Sequence, residues 1–275
     1  VVYVNRILIR DSPFLFDADS AAFILNGDSL AGNGLHFGKV ISNAELGITG
    51  DNHFDTLILK SNTALWGSNT IGTFLWQARA SLLLLSPGST QTILDTMIFN
   101  GACEGISGIE TIMAGNTATI FKASGSVFFD RVVLEDILAG GSAVFTANNS
   151  VLNGTCTGWN SSNAPSPRNL FWVANSGSWS DTSHWSLSSG GPGGECAPTP
   201  LDEVTVDALS FSGADTLTDD LSFSTCNDFD YSAAPASTFA SSSSLLDVYG
   251  NLVLSSSVNY LPGTVRLRSS LPSRN

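Results

Sequence analysis

Apolar residues in the first 159 positions come in short bursts, each closed by Asn, Gly, Asp or Ser. Arg6-Ile7-Leu8-Ile9-Arg10, Thr56-Leu57-Ile58-Leu59, Ser81-Leu82-Leu83-Leu84-Leu85 and Thr96-Met97-Ile98-Phe99 show the pattern, as do Ala118-Thr119-Ile120-Phe121 and Arg131-Val132-Val133-Leu134. β-Branched, aliphatic and aromatic residues bounded by turn formers predict strands. The polar corners between bursts are too short for crossover helices. Two architectures fit: an antiparallel sandwich, or a solenoid whose coils stack rung upon rung. Asn26-Gly27, Asn33-Gly34, Asn100-Gly101 and Asn153-Gly154 are hairpin signals, but few sit squarely between alternating strands. Runs such as Val127-Phe128-Phe129 and Val132-Val133-Leu134 suit a coil around a narrow core, where inward residues bury against equivalent residues above and below. The expectation is an all-β chain: parallel β-helix (β-solenoid) rungs over 1–159, followed by a second β-rich module.

Residues 160–169 (NSSNAPSPRN) have the composition of a linker. The second module, 170–275, opens on Leu170-Phe171-Trp172-Val173 and has a Gly/Pro-rich stretch from Ser188 to Glu195. Strands are expected at Glu203-Val204-Thr205-Val206 and from Leu245 to Leu254. Val248-Tyr249-Gly250-Asn251-Leu252-Val253-Leu254 can be laid against Val2 to Ile9, so the chain is expected to re-enter its opening pattern at about 245.

Composition narrows the surface chemistry. Charged residues are only 13%, yet 24 acidic side chains face 11 basic ones, a net charge of −13. Such a surface repels phosphate backbones and anionic lipid, which argues against nucleic acid and membrane-surface partners. There is no apolar run long enough to span a bilayer, so membrane insertion is not expected. The opening Val1-Val2-Tyr3-Val4 has no signal-peptide pattern, and the chain reads as an internal or processed section. Four cysteines are compatible with an oxidising exterior.

Two segments resemble a module of giant secreted surface proteins of Bacteroidota, the gliding-type adhesins exported by the type nine route. The first combines Ala118 to Gly125, Val132 to Ile137, Gly140 to Ser150 and Gly158-Trp159. The second combines Phe171-Trp172-Val173, Gly177 to Asp181, His184-Trp185-Ser186, Gly190-Gly191, Pro198-Thr199-Pro200 and Asp202 to Asp207. The resemblance implies a β-solenoid repeat in an extracellular, cell-surface, filament-like or adhesive protein, and it carries no catalytic residue. Thr155-Cys156-Thr157 departs from the pattern, which suggests a local cross-link there.

Candidate chemistry is sparse. Trp172, Trp179, His184 and Trp185 are a candidate aromatic platform for sugar stacking; the alternative is that their rings fill the small core of the second module. His36, His53 and His184 are far apart in sequence, which argues against a histidine metal site or a catalytic triad. Cys196 with Cys226, and Cys103 with Cys156, are the expected disulfides, one within each module. Asp215, Asp219, Asp220, Asp228 and Asp230 crowd together, and Asp17 and Asp19 alternate. Calcium in one loop is therefore the one cofactor reading left open. Asp-Ser/Thr-apolar triplets make Ser20, Ser29, Thr56, Thr96 and Thr216 candidate O-glycosylation sites of the Bacteroidota kind, although Asp before Ser or Thr is also turn chemistry.

The functional expectation is a non-catalytic structural or adhesive segment whose partners are neighbouring modules or copies of itself. A carbohydrate-binding module with the tryptophan platform, binding surface polysaccharide, is one alternative. A polysaccharide-active β-helix enzyme is the other, although Lys39, Lys60 and Lys122 are each isolated from the acidic clusters in sequence.

Overall fold

A computed structural model describes residues 1–8, 18–241, 244–261 and 263–268; the side chains of Asn5, Leu8, Ala18, Asp19, Ser20 and Asp28 lie outside the description. Ile9, Arg10 and Asp17 are likewise outside it, so that end of the first predicted strand and the Asp17/Asp19 pair are not placed. The described chain is a succession of short strands with a single 3-10 turn at Thr182–His184. No helix among the described residues is long and apolar enough to cross a membrane. Except for Asn169–Trp172 with Trp185–Ser186, the pairings between named strands are parallel. The parallel β-helix expectation holds. The chain divides into two compact units: residues 1–100 with 108–164, and residues 101–107 with 165–275.

The first unit is the more regular. His36–Ser42, His53–Leu59 and Thr70–Trp76 lie one above the next, with His36 opposite His53 and His53 opposite Thr70. Leu46–Thr49, Thr63–Trp66 and Leu82–Leu85 stack as a second column. Over residues 36–76 the rung repeats every 17 residues, and the register carries the inward rows on through longer steps to Leu85, Ile93 and Met97. Phe37, Phe54, Ile71 and Ile93 make one buried row; Val40, Leu57, Phe74 and Met97 a second; Leu30, Ile48, Leu65 and Leu85 a third. Phe37 and Phe54 stack face to face, with ring centroids 5.4 Å apart. Alternating burial within each strand carries out the period-two rule of a pleated backbone.

The corners are built on the same step. Asn33, Gly50 and Gly67 all have positive φ (50°, 91° and 96°). Asn and Gly tolerate that left-handed turn at little cost. A Cβ at Gly50 would also come within 2.5 Å of the Asn33 backbone nitrogen. Beside the corner runs an amide ladder. Asn52 Oδ1 accepts from Leu35 N, Asn69 Oδ1 from Asn52 N at 3.1 Å, and Gln91 Oε1 from Asn69 Nδ2 at 3.0 Å. Buried backbone groups that turn inward at a corner need such partners.

Where residues 82–100 pair with residues 108–130 the rungs widen, and the later rungs are short again. Thr90–Asn100 pairs through residues 90–92 with 119–121, and through residues 98–100 with 128–130. Ser126–Asp130, Val144–Asn148 and Trp159–Ser162 then close the stack. Residues 160–162 thus belong to a rung, not to the linker expected to start at 160.

The second unit is also built of parallel stacked strands, with longer, uneven steps. One column contains Asn169–Trp172, Glu203–Thr205, Phe229–Asp230 and Leu252–Val253. A second holds Gly177–Ser178, Thr216–Asp219, Ser237–Ser241 and Val258–Leu261, and a third Phe223–Cys226, Leu245–Val248 and Thr264–Leu267. The unit is therefore a solenoid from residue 169 onward. Residues 248–254 lie in stacks of the second unit, while residues 2–4 pair with 23–25 in the first.

Candidate functional site

The aromatic platform is overturned by burial. Trp172, Trp179 and Trp185 are fully buried and His184 is nearly so. Their rings interlock: Trp172 lies flat on His184 at 4.7 Å, and Trp185 meets both other indoles edge-on. The polar edges are satisfied within the cluster. Trp172 Nε1 donates to Asn175 O at 2.8 Å, Trp185 Nε1 to Trp179 O at 2.7 Å, and His184 Nδ1 lies 2.7 Å from Val173 O. Short strands of the second unit cannot enclose much apolar area, and large rings make up the difference. These residues are core, and no face is left for a sugar.

The disulfide expectation is corrected in its pairing. Cys103 joins Cys196, with Cα atoms 4.6 Å apart, and both residues lie in the second unit. Ala197 N also donates to Cys103 O at 2.9 Å, so the loop 101–107 is fixed to residues 196–197 by backbone as well. Cys156 and Cys226 are free thiols. Cys156 donates its thiol to carbonyl oxygens of its own and the preceding rung, Asn153 O at 3.2 Å and Leu134 O at 3.4 Å. The cross-link expected at Cys156 is thus replaced by a hydrogen bond. Cys226 ends an inward-facing strand in the apolar core. Burial raises the pKa of both thiols, well above the ordinary value for Cys226, which keeps them protonated and unreactive.

The acidic residues are divided among separate corners. Asp215 accepts from Ser176 Oγ, Asp220 from Ser180 N and Oγ, Asp228 from Asn251 N, and Asp230 from Ser232 N. Asp219 is buried between Ser224 Oγ and Ser244 Oγ, each 2.6 Å away. Each carboxylate caps a corner or a hydroxyl, and the structure does not gather the five into one loop. Two other carboxylates of the unit are fully buried in ion pairs: Asp247 with Arg266, and Asp202 with Arg168. Asp202 is fully buried and receives Arg168 Nη2 at 2.7 Å, Arg168 N at 2.9 Å and Thr199 N at 2.7 Å.

Among the described residues, the lysines do not meet an acidic pair. Lys122 is buried, and its ammonium donates to Leu94 O at 3.0 Å and Asp95 O at 2.6 Å, where the strand Thr90–Asn100 bends. Lys39 and Lys60 are exposed. Ser29, Thr56, Thr96 and Thr216 are half-buried residues inside strands rather than on turns, and Thr56 and Thr96 share one stacked column through Thr73. The Ser20 side chain is outside the described residues.

One constellation was missed by reading sequence distance as spatial distance. His36 and His53 are 17 residues apart, which is one rung, so the parallel register sets their side chains side by side on the outer surface. Their ring centroids are 4.4 Å apart. Asp55, on the same rung as His53, brings Oδ1 to 2.8 Å from His36 Nε2 and 3.6 Å from His53 Nε2. The signal was present as the repeated pair His-Phe at 36–37 and 53–54.

No family model, curated protein or solved structure matches this chain.

Proposed function

We propose that the chain is a non-catalytic structural segment of a long, extracellular, adhesive surface protein. The observation that carries the reading is the stacking itself. Buried apolar rows run from rung to rung in the first unit, and parallel backbone hydrogen bonds join each rung to its neighbours. A coil of this kind resists bending, and its length grows simply by adding rungs. The resemblance to repeat modules of giant Bacteroidota surface proteins, and the scarcity of lysine and arginine, support an exported scaffold.

The outermost described strands add to this. Val2–Leu8 pairs with Ala18–Ala31, and Val1, Val2 and Tyr3 are exposed. In the second unit, Val258–Leu261 and Thr264–Leu267 are the outer strands of their columns among the described residues, with Leu261 and Leu267 exposed. Open edges with apolar side chains pair readily with further strands. Neighbouring modules, or copies of the chain, are the partners proposed, since each unit of a repeat protein packs on its neighbours.

Two measurements test the reading. Stretched between handles in single-molecule force spectroscopy, the chain should hold load and lengthen in rung-sized steps. Incubated with a panel of acidic and neutral polysaccharides, it should release no cleaved product. Turnover of any of them, or extension without resistance, would overturn the scaffold role. Antibody to the chain should label intact, unpermeabilised source cells; label confined to the cell interior would refute the surface location.

A further inference from the structure

We infer that His36, His53 and Asp55 form a binding site for a divalent transition metal of the zinc type, clasping two successive rungs of the first unit. The donor atoms of all three side chains lie within 4.8 Å of one another. In tetrahedral zinc, Zn–N and Zn–O bonds of about 2.0–2.2 Å set neighbouring ligand atoms roughly 3.3 Å apart. The two observed Nε2–Oδ1 separations, 2.8 and 3.6 Å, bracket that spacing. Small rotations of half-exposed side chains would then seat an ion, with no change in the backbone.

The chemistry of the set selects the ion. Two imidazoles with one carboxylate suit zinc, copper(II) or nickel(II), whereas calcium and magnesium want oxygen cages. Three protein donors leave at least one coordination position open to solvent, because each histidine side chain is 41% exposed. Water fills that position in the isolated chain. A net charge of −13 favours cation approach.

The placement gives the site a mechanical consequence. His36 belongs to one rung and His53 with Asp55 to the next, so a bound ion adds a cross-link parallel to the solenoid axis. An ion that binds only the folded stack raises its melting temperature by mass action. The inference is independent of the scaffold reading, since the site would exist whatever the chain does.

The test uses the full chain, free of any histidine tag and stripped with a chelator, titrated with zinc chloride by calorimetry and with cobalt(II) by visible absorption. One zinc per chain is expected, with cobalt d–d bands of a low-coordinate site and a higher melting temperature of the first unit. His36→Ala and His53→Ala should each weaken binding by roughly tenfold or more, since even outer-shell partners of a metal are worth that much; Asp55→Asn should weaken it less. The double variant His36→Ala/His53→Ala retains His184 and the other carboxylates, and so reports adventitious binding. Circular dichroism in chelator should show all the variants folded, as expected for surface positions. Zinc binding that survives in the double variant, or absence of saturable binding by the wild-type chain, would overturn the site.

Discussion

The two units share a parallel coil and fill it differently. In the first, a 17-residue step repeats over residues 36–76 and equivalent aliphatic and phenylalanine side chains stack on one another, so those rungs solve the same packing problem. In the second, steps are uneven, and the core contains Trp172, Trp179, Trp185, Tyr231 and Tyr249 with a disulfide and a buried Arg168–Asp202 pair nearby. Regularity lets small nearest-neighbour terms add along the axis. Irregularity needs single interactions of large size. Damage to the first unit should therefore spread along neighbouring rungs, whereas damage to the second should concentrate at a few residues.

The sharpest way to break that contrast is at Arg168. Arg168→Ala leaves the Asp202 carboxylate buried without its cation, and loss of one partner of a buried pair costs about 3–5 kcal/mol. Hydrogen exchange read by mass spectrometry should show the second unit opening while residues 36–85 stay protected. The paired change Arg168→Met/Asp202→Asn should recover much of the loss, because the stranded charge is gone while the side-chain carbonyl still accepts from a backbone donor. Equal loss of protection in both units would mean that the contrast is false. In the first unit, Leu57→Ala removes one member of the row Val40, Leu57, Phe74, Met97 and should cost about 2–5 kcal/mol. Protection should fall most on the rungs immediately above and below, 36–42 and 70–76.

How much of this was written in the sequence depends on which kind of packing is meant. Strand identity and the parallel stack were legible, because bursts such as Thr56-Leu57-Ile58-Leu59 have a strand composition and no room for crossovers between them. The 17-residue step was also present, in His36-Phe37 over His53-Phe54 and Asn52 over Asn69, but side chains vary from rung to rung and only the register makes the rows obvious. Histidines distant along the chain become neighbours once that step is known. The cysteine pairing was not legible, since it depends on residues 101–107 packing with the second unit. Nor could burial of Trp172 and Trp185 be read from residue type, because an indole suits a core and a sugar platform alike.

Reduction of Cys103–Cys196 gives an intermediate effect. The bridge closes a span of 93 residues, and a disulfide of this kind stabilises by about 2–4 kcal/mol. Cys103→Ser/Cys196→Ser should lower the melting temperature of the second unit and leave Cys156 and Cys226 as they are; a new bridge between those two would contradict their separate burial. Smaller again is the amide ladder. Asn69→Ala takes the acceptor from Asn52 N and the donor from Gln91 Oε1, at a cost of about 1–3 kcal/mol. If corners in the first unit are interchangeable, Asn52→Ala should cost about the same, and a large difference between the two would show that its rungs are not equivalent.

The smallest expected effect tests the second unit by pH. Burial raises the Asp219 carboxyl above its ordinary 3.8, opposed by the Ser224 and Ser244 hydroxyls and aided by the charge of Asp220. A group that holds its proton more tightly when folded favours the fold at low pH. That contribution is complete below the unfolded value and is lost as pH rises through the raised folded value. Asp219 therefore opposes the usual acid-side trend, in which carboxylates with lowered values lose stability as pH falls. Asp219→Asn keeps hydrogen-bonding capacity toward Ser224 and Ser244 but cannot ionise. Melting curves of the second unit taken from 3.8 upward should show the variant gaining on the wild type as pH rises, with the curves of the first unit superimposed. A wild type that gains on the variant over the same interval would mean that Asp219 is folded as a favoured carboxylate, and that hydroxyl donors outweigh burial in this irregular core.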